Sequence, residues 1–149
     1  MVIDSFTEKD TFEAGKKIGE RAQPGDVYVL TGDLGAGKTM LSQGVAAGLG
    51  IQDCVSSPTF TIVQIYEDGR LPFYHFDVYR IGDIEEMEEI GYQEYFYSDG
   101  VTLIEWGELV EEILPEAYYK ITIEKNPERG FEYRRILLEG SGLPTGEGR

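Results

Sequence analysis

An eight-residue run in the first third of the chain has the composition of a phosphate-binding loop. Gly32 to Thr39 reads Gly-Asp-Leu-Gly-Ala-Gly-Lys-Thr and matches G-x-x-x-x-G-K-[ST] at every fixed position. Its glycines let backbone amides approach a phosphate closely, because they carry no Cβ. Lys38 supplies a positive charge for the β- and γ-phosphates, and the Thr39 hydroxyl is an oxygen ligand suited to magnesium. The run predicts a site for a nucleoside triphosphate with Mg²⁺; the alternative is a glycine-rich turn with an exposed lysine.

A carboxylate at the end of a later apolar strand is the candidate second magnesium ligand. Glu105 directly follows the apolar run Val101 to Ile104. In phosphate-loop proteins such a strand-end carboxylate joins the loop hydroxyl in holding the metal. Without the loop, Glu105 would read as a solvated strand end; with it, we expect Glu105 to contribute to the magnesium site.

The elements around the loop have the order strand, loop, helix. Val27 to Thr31 is a short run of β-formers, and Lys38 to Leu49 follows the loop with helical spacing. This order directs the helix amino terminus and its backbone N–H groups at the bound phosphate. Ahead of the strand, Thr7 and Asp10 resemble a capping box that starts a helix ending near Arg21.

The rest of the chain mixes strand and helix patterns, which predicts an α/β fold: a single P-loop NTPase domain over residues 1–139, with a mixed parallel and antiparallel sheet flanked by helices. Residues 140–149 are Gly-rich and predict a flexible tail. The further predicted elements are an antiparallel hairpin of Thr59 to Tyr66 and Phe73 to Val78, a helix through Ile84, Met87 and Ile90, a strand Val101 to Ile104, a helix Gly107 to Leu114, and strands Tyr118 to Glu124 and Phe131 to Leu138 around a turn at Asn126-Pro127.

Composition limits the partners that the protein can bind directly. Over 149 residues, 28 acidic side chains outnumber 13 basic ones and give a formal charge of −15. A bare nucleic-acid backbone or an anionic membrane surface should repel such a chain. The chain has a single cysteine, Cys54, and no signal-peptide pattern, which together predict a cytoplasmic protein. It has no apolar run near 20 residues, so we expect that it does not enter a membrane.

The identity of the nucleotide and the reaction class are narrowed by what the sequence lacks. Guanine-specific loops use an Asn-Lys-x-Asp segment, but the single asparagine here, Asn126, precedes a proline. ATP is therefore favoured over GTP. A kinase of a small metabolite is the alternative function, although the middle of the chain offers no arginine cluster of the kind that a kinase lid uses.

Four segments together resemble one family. After the loop come Ser57-Pro58-Thr59-Phe60, then His75-Phe76-Asp77-Val78-Tyr79-Arg80, then Glu105-Trp106. Their order and approximate spacing resemble those of the TsaE family, formerly called YjeE, over nearly the whole chain. The resemblance implies a bacterial P-loop ATPase required for N6-threonylcarbamoyladenosine at position 37 of tRNAs that read codons beginning with A. It implies association with the TsaB–TsaD pair, weak activity in isolation, and contact with tRNA only through those partners.

The resemblance also assigns roles to individual residues. Thr7 would by itself be read as a helix cap. The residues carried over are Leu34, Gly35, Ala36, Gly37 and Lys38 at the phosphates, Thr39 and Glu105 at the magnesium, Thr7, Glu108 and Arg129 near the nucleotide, and Asp77 with Lys38 and Glu105 in catalysis.

Several neighbouring residues carry two interpretations. Asp77 would orient the attacking water or support magnesium indirectly, with His75 assisting; otherwise His75 is a half-buried, hydrogen-bonded histidine. Arg80 would stabilise charge in the transition state or meet a partner, or else pair with Asp83 or Glu85. Trp106 would cover the site or pack in the core. Ser57 to Thr59 would form a switch segment or a rigid turn.

Overall fold

The computed structural model describes residues 1–33, 36–52, 55 and 62–141. Within those ranges the strands are β1 (Val2–Ser5), β2 (Val27–Gly32), β3 (Val63–Tyr66), β4 (Phe73–Asp77), β5 (Val101–Glu105), β6 (Tyr118–Lys125) and β7 (Arg134–Ser141). The α-helices there are α1 (Glu8–Arg21), α2 (Lys38–Gly48), α3 (Ile84–Ile90) and α4 (Tyr92–Phe96), and 3₁₀ helices cover Gly107–Ile113 and Pro127–Arg129.

The strands form one seven-stranded sheet in the order β1-β7-β6-β2-β5-β4-β3. Its centre is parallel, because β2 pairs in parallel with both β5 and β6, and β4 pairs in parallel with β5. The outer pairs β3–β4, β6–β7 and β1–β7 are antiparallel. This confirms the predicted mixed sheet, parallel next to the loop. The carboxyl ends of β2, β4 and β5 therefore meet at one edge, where α2 begins.

Helices cover both faces of the sheet, as β5 shows most clearly. All five of its side chains are buried. Val101 and Leu103 pack in the cluster formed with α1 and α2, and Ile104 packs on the other side with α3, α4 and the first 3₁₀ helix. A strand buried on both faces needs the continuous apolar pattern seen in the sequence. Across the described ranges, no helix has the length and apolar character needed to cross a membrane.

The two helices on the loop side are packed backbone against backbone. Gly15 and Gly19 of α1 meet Gly44 and Gly48 of α2. A Cβ on any of these four would lie 2.1 to 2.2 Å from a carbonyl oxygen of the facing helix. Because no real Cβ tolerates such a distance, only glycine permits this approach. The seam ties α1 directly to the helix that begins at the phosphate loop.

Most predicted elements are present, with shifted ends. The helix capped by Thr7 is confirmed, since the Thr7 hydroxyl accepts a hydrogen bond from the Asp10 amide at 3.1 Å. The hairpin is present, but of its first strand only Val63–Tyr66 is seen, and residues 59–61 lie outside the described ranges. The second strand ends at Asp77, one residue earlier than predicted, so Tyr79 and Arg80 fall in the turn beyond it.

One predicted helix is of the 3₁₀ type, two predicted boundaries need correction, and two elements were not predicted. The helix predicted from Gly107 to Leu114 is present as a 3₁₀ helix, Gly107–Ile113, with non-helical torsions at Val110. Strand β7 begins three residues later than Phe131, because the preceding residues form a turn whose carbonyls accept from Arg134. It also runs through Gly140 and Ser141, so a tail remains a prediction only for residues 142–149, which lie outside the described ranges. Strand β1 and helix α4 were not predicted.

Candidate nucleotide-binding site

The predicted phosphate loop joins β2 to α2 as the motif requires. Strand β2 ends at Gly32 and α2 starts at Lys38, with Gly37 as its N-cap at φ +104°. This left-handed conformation favours glycine, because it is strained for residues with a Cβ. Leu34 and Gly35, predicted to contact phosphates, lie outside the described residues, so their role stays a prediction.

The amino terminus of α2 has the properties of an anion site. Its N-cap residue, Gly37, has no side chain with which to cap it, and its first turn contains no acidic residue. Ala36, which precedes it, is completely buried, and its amide donates to the Asp33 carbonyl at 3.0 Å. The leading amides of the helix and its dipole therefore offer partial positive charge at this end. An anion such as a phosphate suits this end of the helix.

Lys38 lies over the face of an aromatic side chain. Its Nζ is 4.2 Å from the centre of the Trp106 ring, a cation–π contact. The Tyr79 ring packs edge-on against the same indole, with centroids 4.7 Å apart. Trp106 has φ +65° and is the one non-glycine residue with positive φ in the described structure. Backbone strain of this kind concentrates at functional sites, and here it places the indole beside the loop lysine.

A buried histidine–carboxylate pair lies at the ends of β4 and β5. The Nε2 atom of His75 is 2.7 Å from Oε2 of Glu105, and both residues are buried. They are on neighbouring parallel strands, with Glu105 opposite Leu30 of β2 on its other side. This places the carboxylate predicted for magnesium on the central strand next to β2, which leads into the loop. The sequence did not predict its bond to His75.

Asp77 is the second carboxylate at this edge. It is opposite Glu105 in the pairing of β4 with β5. Partial burial raises the pKa of Asp77, and the nearby Glu105 charge raises it further, while the Tyr79 amide, His75 and Lys38 act in the opposite direction. The Tyr79 amide donates to Oδ1 of Asp77 at 3.0 Å. Two adjacent carboxylates near one lysine form an environment that a cation would stabilise.

The side chains present fit a magnesium ion held together with a substrate. In the described part of the chain, no group of three or more His, Cys, Asp or Glu side chains forms a closed metal cage. Magnesium does not require one, because it is usually bound by one or two carboxylates, waters and substrate phosphates. Thr39, in the first turn of α2, and Glu105 would supply oxygen ligands, and a cation would offset the repulsion between the Asp77 and Glu105 carboxylates.

Arg134 of β7 braces the loop, a role that the sequence did not predict. Its Nε donates to the Ala36 carbonyl at 2.9 Å, and its Nη1 donates to the carbonyls of Phe131 and Tyr133 at 3.0 and 2.8 Å. The planar guanidinium satisfies several carbonyls at fixed angles. The sequence analysis placed Arg134 in a predicted hairpin strand, but no local pattern linked it to Ala36, which lies 98 positions earlier.

A cavity of about 140 Å³ lies between the loop, the start of α1 and the turn before β7. Thr7, Ala36, Gly37 and Arg134 line it, together with Phe131, whose side chain is 93% exposed. Thr7 is thus both a helix cap and a wall of this cavity. The predicted placement of Thr7 near the nucleotide is therefore compatible with its capping role.

Two other candidates, Glu108 and Arg129, do not line this cavity, so their placement near the nucleotide stays a prediction. Glu108 is exposed on the 3₁₀ helix after Trp106. Arg129 lies over the Tyr133 ring, donates to its hydroxyl and is 3.6 Å from the Asp4 carboxylate. It lines a separate cavity, with Asp4 and Tyr133 among its neighbours. From this last hairpin, it is Arg134 that contacts the loop.

Arg80 and the segment from Ser57 to Thr59 each had two interpretations from the sequence. Arg80 is exposed, and within the described ranges it forms no ion pair with Asp83 or Glu85. The Asp83 carboxylate instead caps α3. The segment from Ser57 to Thr59 lies outside the described residues, so its switch role stays a prediction.

Comparison with known proteins gives consistent relatives. Residues 5–136 match the family described as threonylcarbamoyl adenosine biosynthesis protein TsaE. The chain is 50% identical over 134 residues to the tRNA threonylcarbamoyladenosine biosynthesis protein TsaE of Bacillus subtilis, covering 90% of this chain and 82% of that protein. It is 48% identical over 137 residues to the protein of the same description from Treponema pallidum, covering 92% and 93%.

The fold also has a solved counterpart. The crystal structure of YdiB from Bacillus subtilis aligns with a TM-score of 0.79 and 38% identity. The alignment covers 96% of this chain and 86% of that one. This chain is therefore similar to a known bacterial protein in both sequence and fold.

Proposed function

This chain belongs to the TsaE family, and from that premise we propose that it is a magnesium-dependent ATPase required for N6-threonylcarbamoyladenosine synthesis. The modified base is adenosine 37 of tRNAs that read codons beginning with A. In this proposal the protein acts with the TsaB–TsaD pair, and TsaD performs the carbamoyl transfer. The names of the relatives specify the modification pathway, and the ATPase role is argued from the site.

One observation carries the proposal: β2 leads through the loop to Lys38 at the start of α2, and the adjacent parallel strand β5 ends in the buried carboxylate Glu105, opposite Leu30 of β2. Lys38 and the start of α2 would provide positive charge for phosphates, and Glu105 and Thr39 would provide oxygen ligands for a cation. When bound, magnesium would neutralise phosphate charge and orient the β- and γ-phosphates. We assign the phosphate contacts to Gly37 and Lys38, with Leu34, Gly35 and Ala36 completing the loop.

Asp77 is the candidate for orienting the attacking water. It is opposite Glu105 at the carboxyl ends of β4 and β5, and its pKa is raised by partial burial and also by the Glu105 charge. A carboxylate in that setting accepts a hydrogen bond from a water molecule readily. Lys38 would counter the charge that develops on the transferred phosphoryl group. A bound phosphate would compete with the Trp106 ring for the Lys38 ammonium.

The charge of the chain favours indirect contact with tRNA. At −15, the protein should be repelled by a polyanionic backbone, so a partner that binds tRNA is the physically easier route. The same partner can complete the site, which accounts for the weak activity expected of the chain alone. The tRNA substrate of this pathway, with the single Cys54, further leads us to infer a cytoplasmic location.

The proposal is tested by phosphate release. The purified chain is assayed with Mg-ATP alone and with the TsaB–TsaD pair, next to Lys38→Ala and the matched control Lys17→Ala, an exposed lysine of α1. We expect stimulation by the pair in wild type and Lys17→Ala, and none in Lys38→Ala. Loss of threonylcarbamoyladenosine from tRNA in a strain lacking the gene should accompany this result.

Each competing function has its own outcome in the same assay. Phosphate transferred to an added small metabolite would indicate a kinase. Tight ATP binding without turnover, even with the pair, would indicate a nucleotide sensor. A deletion strain with normal modified tRNA would contradict the pathway role whatever the hydrolysis assay shows.

A further inference from the structure

The contact between His75 and Glu105 is the shortest polar contact described at the site. Nε2 of His75 and Oε2 of Glu105 are 2.7 Å apart, and the two residues are 0% and 3% exposed. Two unprotonated acceptors would not approach so closely in a buried setting, so a proton lies between them. A carboxylate that binds a cation is ionised and acceptor-only, and in that state Nε2 of His75 is the donor.

The opposite nitrogen of the ring supports this assignment. Nδ1 of His75 is buried and has no hydrogen-bond partner in the described structure. A buried donor without a partner is costly, and the tautomer with hydrogen on Nε2 alone leaves only a lone pair at Nδ1. The ring is held in place by packing, since the Phe73 ring is stacked 5.9 Å away. A fixed imidazole with one directed donor is well suited to hold a neighbouring group in a single orientation.

We propose that His75 is the positioning residue for the magnesium-binding carboxylate. Its Nε2–H holds Oε2 of Glu105, which leaves Oε1 as the oxygen available to the cation. This inference rests on the proposed function, because it presumes that Glu105 binds magnesium together with ATP. His75 touches neither the nucleotide nor the metal in this role; it acts through Glu105. Partners that orient a metal ligand in this way typically change metal affinity by about 10- to 100-fold.

Three substitutions separate positioning from packing. In His75→Gln the side-chain amide nitrogen reaches about as far as Nε2 and can donate to Glu105. In His75→Asn the amide is shorter and cannot reach that position, although it is also a buried polar side chain. His75→Phe keeps an aromatic ring without a donor. The Gln and Asn variants are therefore a matched pair that differ in reach.

The measurement is the magnesium concentration at which ATP binding is half-enhanced, obtained by calorimetry with each full-length variant. ATP binding in excess EDTA reports the phosphate loop alone, and thermal unfolding reports folding. We expect the magnesium midpoint to rise about 10- to 100-fold in His75→Asn and His75→Phe, with recovery toward wild type in His75→Gln. Affinity for ATP in EDTA should stay at the wild-type level in all three.

Two results would overturn the inference without touching the proposed function. One is an unchanged magnesium midpoint in His75→Asn or His75→Phe; the other is a His75→Gln variant no better than His75→Asn. If wild type binds no nucleotide with or without magnesium, the proposed function fails and this inference fails with it. Variants that do not fold are identified by the unfolding curve. In that case nitrogen-15 NMR of the wild-type protein decides whether His75 positions Glu105.

The unmodified protein offers an independent readout, because His75 is the only histidine in the chain. Nitrogen-15 NMR of the imidazole should show hydrogen on Nε2, with the pattern of one fixed ring. A ring with unprotonated Nε2, or the averaged pattern of a ring that exchanges freely between tautomers, would refute the positioning role.

Discussion

The seam of glycines between α1 and α2 predicts that a single added methyl group strongly destabilises the fold. In Gly44→Ala, the new Cβ would lie 2.1 Å from the Phe12 carbonyl oxygen and 3.0 Å from the Lys16 amide nitrogen. Both atoms belong to the backbone of α1, so no side-chain rotation relieves the overlap. Restoring an ordinary contact requires the helices to separate by roughly 1 Å along their most closely packed line.

The expected effect has the opposite sign from that of an ordinary helical glycine. Replacing glycine by alanine in an exposed helix stabilises by roughly 1 kcal/mol, whereas overpacking a close contact costs typically 1–3 kcal/mol and sometimes more. Because the obstacle is backbone, we expect the high end of that cost and a net loss of about 2 kcal/mol. For a chain of this size, that corresponds to a midpoint of thermal unfolding about 4–8 °C lower.

The assay compares unfolding of wild type, Gly44→Ala and Gly82→Ala by circular dichroism. A Cβ at Gly82 meets only the end of the Glu86 side chain, at 3.5 Å, so this control should match wild type or be slightly more stable. ATP affinity should also fall in Gly44→Ala, since displacing α2 moves Lys38. If Gly44→Ala is as stable as Gly82→Ala, the described packing of α1 on α2 is wrong.

Three further predictions follow from the site. Arg134→Lys should weaken ATP binding on the order of tenfold, because one ammonium cannot donate to all three carbonyls that the guanidinium reaches. ATP affinity is measured by calorimetry, with Arg135→Lys, a substitution at the exposed neighbouring arginine, as the control. Equal affinity in both variants would contradict the bracing role of Arg134. ATP should change the emission of Trp106, the only tryptophan, because a phosphate would compete with its ring for the Lys38 ammonium. A Lys38→Met variant that responds equally would argue against that competition. Asp77→Asn should be more stable than wild type at pH 7, because a carboxyl whose folded pKa is raised destabilises the fold once it ionises. That advantage should disappear as the pH falls through the raised pKa toward the ordinary range of aspartate, and thermal unfolding that shows the same difference at pH 3 and pH 7 would refute it.

Local patterns in the sequence were sufficient for the parts of the site that lie close together along the chain. The phosphate loop combines a β-rich run, spaced glycines and a helical start within a few residues, and each is read from short-range backbone preferences. The Thr7 cap and the carboxylate at Glu105 after an apolar strand were predicted for the same reason. The resemblance to the TsaE family is likewise confirmed over residues 5–136.

The elements that were missed or displaced show the limit of such patterns. Strand β1 is only four residues long and is defined by its pairing with β7, at the other end of the chain. The start of β7 depends on a turn that Arg134 stabilises. Neither feature has a strong local signal, because the free energy that defines it comes from contacts distant in sequence.

What the sequence alone determined is therefore the family, together with the residues of the candidate site: a loop whose motif predicts phosphate binding and a strand-end carboxylate, Glu105, that is predicted to hold magnesium. Tertiary structure alone decided which groups meet. The strand order places His75 of β4 against Glu105 of β5, and it brings Arg134 to the Ala36 carbonyl across 98 residues. Side-chain periodicity specifies which face of a strand is buried, but the choice of neighbouring strand depends on how the whole sheet packs between its helices.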